Sequence, residues 1–167
     1  MWLILGLLQT TPVLARGDYF IQKEIEARFS AHEKLRGAGI KVHVEAQLVV
    51  LTGRVRLYEQ KLIGGRIAWT TPGVVEVDNE IRVLPKLPVS DAAIERKIRD
   101  IVKSDDRYQD AKLEVRVNQG EVKLTGSFLG FSDPTILKHK VAAIEGVVDI
   151  EISAAFFAWP GAKASMG

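Results

Sequence analysis

Hydrophobic residues in the second half of the chain change period in a regular order. Ile94, Ile98, Ile101 and Val102 follow Ser90 at helical spacing, which predicts a helix capped by Ser90 with one apolar face. Leu113, Val115 and Val117 then alternate with polar residues, as do Val122 and Leu124 after the polar turn Asn118–Gln119–Gly120, which predicts a β-hairpin with one buried face. Asp133 as N-cap and Pro134 as first residue open a second helix carrying Ile136, Leu137, Val141 and Ile144. Gly146 breaks that helix, and Val148, Ile150 and Ile152 make a last strand.

The first half has the same order. Asp18 is placed to cap a helix with Ile21, Ile25 and Phe29. Ile40, Val42 and Val44 alternate, Glu45–Ala46–Gln47 turns, and Val49 and Leu51 return. Leu62, Ile63, Ile67 and Ala68 form a helix that Gly64–Gly65 should weaken by about 1 kcal/mol per glycine. Val75, Val77, Asn79, Ile81 and Val83 close the unit as one strand.

The two halves are in step. Leu51–Thr52–Gly53 recurs as Leu124–Thr125–Gly126 and Gly73–Val74–Val75 as Gly146–Val147–Val148, both at a shift of 73 residues. Gly53 and Gly126 are expected to end their hairpins where the backbone bends or is closely approached. The fold expected is α+β: two tandem αββαβ modules, each a small three-stranded mixed sheet with two helices on one face. The modules are placed at residues 18–84 and 90–156, joined by a linker over 85–89 (Pro85–Lys86–Leu87–Pro88 within it) that two prolines should stiffen.

This repeat resembles the BON domain. The residues that carry the likeness are Val49–Val50–Leu51–Thr52–Gly53 and Pro72–Gly73–Val74–Val75–Glu76–Val77–Asp78–Asn79–Glu80–Ile81–Arg82–Val83 in the first half. In the second they are Val122–Lys123–Leu124–Thr125–Gly126 and Gly146–Val147–Val148, with Glu145 standing where the first half has Pro72 and Ile152 where it has Asn79. Gly53, Gly73, Asn79, Gly126 and Gly146 are therefore read as structural motif positions. The resemblance implies a non-enzymatic bacterial envelope protein of the tandem periplasmic type, similar to hyperosmotically inducible periplasmic proteins. It implies roles in outer-membrane integrity or osmotic stress and contact with anionic phospholipid. A protein-interaction adaptor docking on an outer-membrane or secretion component, and a cation or small-ligand binder, are the alternatives.

Composition narrows the chemistry. The formal charge is +2, from 23 basic and 21 acidic residues, so no bulk field draws nucleic acid. There is no cysteine, which excludes disulfides and thiolate metal sites. His32, His43 and His139 have no metal-ligand spacing, and no phosphate loop or nucleophile elbow occurs, so no cofactor, metal or catalytic residue is expected. Residues 1–17 read as a leader. Met1–Leu8 is almost entirely apolar, Pro12 follows, and Val13 and Ala15 suit cleavage after Ala15, though no Lys or Arg precedes the apolar run. Periplasmic export is the expectation drawn from it. The tail over 157–167 begins with Phe157–Ala158–Trp159–Pro160, which with Phe156 is either a strand end that packs or a docking segment.

Lipid or partner contact needs exposed apolar groups beside cations. Two stretches at the same place in the repeat qualify. One is Arg54, Arg56, Leu57 and Tyr58 with Lys61, Arg66 and Trp69; the other is Phe128, Leu129 and Phe131 with Lys138, His139 and Lys140. The same residues can instead fill a small core. The second stretch is the favoured contact, because Phe128–Leu129–Gly130–Phe131 is hard to bury in so small a module.

Overall fold

A computed structural model describes residues 13–156. Residues 1–12 of the expected leader and 157–167 of the tail lie outside the described residues. The first repeat holds α1 (Val13–Ala31), β1 (Gly39–Glu45), β2 (Leu48–Val55), α2 (Tyr58–Trp69), β3 (Glu76–Asn79) and β4 (Arg82–Val83). The second holds α3 (Asp91–Ser104), a 3-10 turn (Asp106–Tyr108), β5 (Lys112–Asn118), β6 (Glu121–Phe128), α4 (Asp133–Ala142) and β7 (Asp149–Phe156). The α+β reading with two modules of roughly αββαβ order is what the structure has.

In each sheet the second hairpin strand is central. β6 pairs antiparallel with β5 and parallel with β7, with Leu124 opposite Val115 and Ile152. β2 pairs parallel with β3, and Leu48↔Glu76 occupies the repeat position of Glu121↔Asp149. The expected single last strand of the first repeat is instead two pieces, β3 and β4, both paired with β2. Asn79 accounts for the break. Its Oδ1 accepts from the Ile81 amide at 3.3 Å, a local bond that Ile152 cannot make at the equivalent place, where β7 runs unbroken.

Gly53 and Gly126 do not end their strands; β2 and β6 continue through them to Val55 and Phe128. A Cβ at Gly126 would fall on the Lys112 carbonyl oxygen of β5, and one at Gly53 on that of Gly39. The glycine lets two backbones approach more closely than any side chain allows. Gly73 and Gly146 do follow their helices, at φ 89° and 97°. The Gly64–Gly65 pair lies inside α2, where a Cβ at Gly65 would reach 2.7 Å from the Asn79 side-chain Nδ2.

The hairpin turns share one device. Ala46 and Gln47, and Gln119 and Gly120, all have positive φ, the geometry of a type I′ turn. Asp18 does not cap a helix as expected, since α1 begins at Val13. Its carboxylate accepts from the Ala46 and Gln47 amides, each at 2.9 Å, and Asp91 accepts from Gln119 and Gly120 at the same distances. Ser90 does cap α3, accepting from the Ala93 amide.

The chain packs into two compact units. One takes the described residues through Gly53 together with Ile63–Ile81; the other takes Arg54–Leu62 and the described residues from Arg82 on. Ile21, Ile25, Phe29, Val49, Leu51, Ile63 and Ile67 are buried in the first. Ile94, Ile98, Val115, Val122, Leu124, Phe128, Leu137 and Val141 form the core of the second, together with Tyr58 and Tyr108. Tyr108 meets Phe128 edge to face at 6.4 Å, a favoured aromatic geometry.

Candidate contact site

β6 delivers the chain to α4 through Leu129–Ser132. Phe128, its last strand residue, is fully buried and anchors the loop from below. Ser132, not Asp133, is the residue before the helix; Asp133 is its first residue and Pro134 follows. The Asp133 carboxylate turns back and accepts from the Gly130 amide at 2.9 Å. A Cβ at Gly130 would lie 2.6 Å from that carboxylate, so a side chain there would have to displace it. With Phe128 pinned inside and Gly130 tied to the helix start, Leu129 and Phe131 are left outside. They are 50% and 81% exposed.

The base of α4 is held by charge. Asp105, between α3 and the 3-10 turn, accepts from Arg107 at 2.8 and 3.0 Å and from Lys140 at 2.5 Å. Arg107 chiefly, with Lys140, holds the Asp105 carboxyl well below the usual carboxylate range. Because the folded value is lowered, the pairing stabilises the fold above the ordinary carboxylate pKa of about 4, and its contribution is lost progressively as pH falls below that value toward the lowered folded one. Asp105→Asn should therefore flatten the acid side of the stability–pH curve below about pH 5. Thermal unfolding at pH 7, 5, 4 and 3 checks this, and parallel curves for the two proteins would contradict it.

The structure divides the sequence candidates. Phe128 and Tyr58 are core residues and so leave the contact set, a correction to the grouping by composition. Burial, with the Asp149 carboxylate beside it, pushes the Tyr58 phenol up. Lys140 is committed to Asp105, while Lys138, two residues away, lies on a different face of α4. In the first repeat Arg54 and Arg56 are exposed and Lys61 is half-buried. The Arg56 guanidinium is 3.9 Å from Glu145. Trp69 is 62% exposed but closes the far end of α2, about 16 Å along the helix from Tyr58. The first stretch is thus dispersed, while the second keeps Leu129 and Phe131 together at one tip.

Sequence reasoning missed other exposed apolar groups. Tyr19 and Phe20 are 58% and 69% exposed on α1, stacked edge to face at 5.9 Å, and Val75 is 68% exposed. The signal was available for the pair: neither falls on the Ile21–Ile25–Phe29 face. Among the described residues no group of His, Asp and Glu could hold a metal ion, and no helix is long and apolar enough to cross a membrane.

The family model described as BON domain matches twice, over residues 18–85 and 90–153. The chain belongs to the BON domain family. BON domains occur in periplasmic and envelope-associated proteins, and the family is generally non-enzymatic. No curated protein matches. Among solved structures the chain is similar to the C-terminal domain of CdsD, the structural protein of the type III secretion system of Chlamydia trachomatis, at 14% identity and a TM-score of 0.35, covering 84% of this chain and 67% of that one. A second CdsD structure gives 15% identity and a TM-score of 0.34, covering 84% and 63%.

Proposed function

We propose that this tandem BON protein is a non-catalytic, periplasmic envelope module that contacts anionic phospholipid through the tip of its second repeat, in support of envelope integrity under osmotic stress. The observation that carries the reading is the pairing of a buried anchor, Phe128, with two outward apolar side chains, Leu129 and Phe131, on a turn fixed by Gly130 and Asp133. A rigid tip enters the headgroup region without first paying ordering entropy. Lys138 on the following helix supplies positive charge for lipid phosphates. The leader reading at the N-terminus supports export, and the family membership supports the envelope setting.

Co-sedimentation with vesicles tests it. Phosphatidylglycerol-containing vesicles at low salt should retain the protein, and pure phosphatidylcholine vesicles should retain much less. Phe131→Glu should weaken binding to the anionic vesicles by tenfold or more, a change of about 1.4 kcal/mol. Binding equal on both lipids, or unchanged by Phe131→Glu, would sink the reading.

A further inference from the structure

The shift of 73 residues places Phe131 on Tyr58, Leu129 on Arg56 and Phe128 on Val55. Val55 and Phe128 are buried alike, at 4% and 0% exposure. The next equivalent pair behaves in opposite ways: Tyr58 is 6% exposed and Phe131 81%. Tyr58 is buried because it lies in the core of the second unit, with the Asp149 carboxylate and the Ile150 backbone beside its hydroxyl. Arg56, two residues earlier, faces Glu145 of that unit.

The first unit carries the counterparts of these receiving residues. Glu76 stands for Asp149, Val77 for Ile150, Val75 for Val148 and Pro72 for Glu145. Pro72, Val75 and Glu76 are exposed, whereas Glu145 and Val148 are partly covered. One of the substitutions matches as a pair. Where the second unit brings a cation to an anion, Arg56 to Glu145, the equivalent pair is apolar on both sides, Leu129 and Pro72. Val75 joins Gln47 of the Asp18-held turn through its amide, so Tyr19 and Phe20 add apolar surface at the same end of the unit.

We infer that the Leu129–Phe131 tip of one chain docks on the Pro72–Val77 face of a second copy, repeating between molecules the seat that Tyr58 takes in the second unit. The contact joins unlike surfaces, so each chain offers one tip and one face, and association proceeds head to tail. This follows from the repeat comparison alone and does not depend on lipid binding.

Complementation of two variants tests it, using sedimentation velocity of the full chain without lipid. The unaltered protein should show a sedimentation coefficient that rises with concentration. Phe131→Glu, which blocks the tip, and Val75→Glu, which blocks the face, should each lose that rise. Mixed, they should form a one-to-one dimer and nothing larger, because one intact tip meets one intact face. Both positions are exposed, so the variants should keep the circular dichroism of the parent; Leu129→Glu provides a second tip block. A parent that stays monomeric would overturn the inference, as would Val75→Glu that still associates alone, or a mixture that stays monomeric.

Discussion

Gly126→Ala should destabilise the second unit by on the order of 3 kcal/mol or more. The added carbon would fall on the Lys112 carbonyl oxygen, and its next neighbours are the Lys112 carbonyl carbon at 2.9 Å and the Leu113 Cα at 3.0 Å. All three are backbone atoms of β5, so no rotamer change relieves the clash. β6 lies between β5 and β7, so moving it disturbs both ladders. A small domain is stable by only about 5–15 kcal/mol, which makes this loss a large fraction of the whole. Gly17→Ala is the matched control. No atom lies within 4 Å of the added carbon, and the exchange should change stability by about 1 kcal/mol at most, in the favourable direction. Urea unfolding of both variants decides the matter; a Gly126→Ala midpoint equal to that of the parent would contradict the close-approach account.

Asp18→Ala should cost about 2 kcal/mol, the order expected when a charged acceptor of two backbone bonds is removed. Ala46 and Gln47 both hold positive φ, a conformation that costs L-residues roughly 1–2 kcal/mol each. The carboxylate offsets that strain by satisfying both turn amides. Its removal leaves the strain in place, so Gln47→Gly, which copies the glycine at position 120 of the second repeat, should restore about 1 kcal/mol to Asp18→Ala. Hydrogen exchange at residues 46 and 47 should speed up in the single variant. No rescue by Gln47→Gly would show that the turn strain is not what Asp18 offsets.

The Asp18 and Asp91 clamps also mark the limit of what sequence patterning reveals. Both aspartates stand at the same repeat position, yet a lone Asp before an amphipathic run looks like an N-cap, and only the fold brings the hairpin turn to it. The alternating strands, the helices and the shift of 73 residues were legible because period and spacing are local properties. The glycines at 53 and 126 were legible as special, but continuation of the strands through them depends on how closely β1 and β5 approach. Burial was least legible. Tyr58 and Phe131 occupy one repeat position and are both aromatic, and what packs around them buries one and exposes the other, so composition could not separate them. Leu129 and Phe131, suspected of exposure because Phe128–Leu129–Gly130–Phe131 is hard to bury in so small a module, are indeed exposed.

The tip of the second repeat should meet lipid while its counterpart in the first does not. The chain has no cysteine, so a single spin label can be placed at Leu129→Cys or at Arg56→Cys, the equivalent position. On phosphatidylglycerol vesicles the label at 129 should gain accessibility to dissolved oxygen and lose it to a water-soluble nickel complex. The label at 56 should stay as accessible to nickel as it is in solution. Equal responses at the two positions, or no change at 129 on vesicles that retain the protein, would contradict the account.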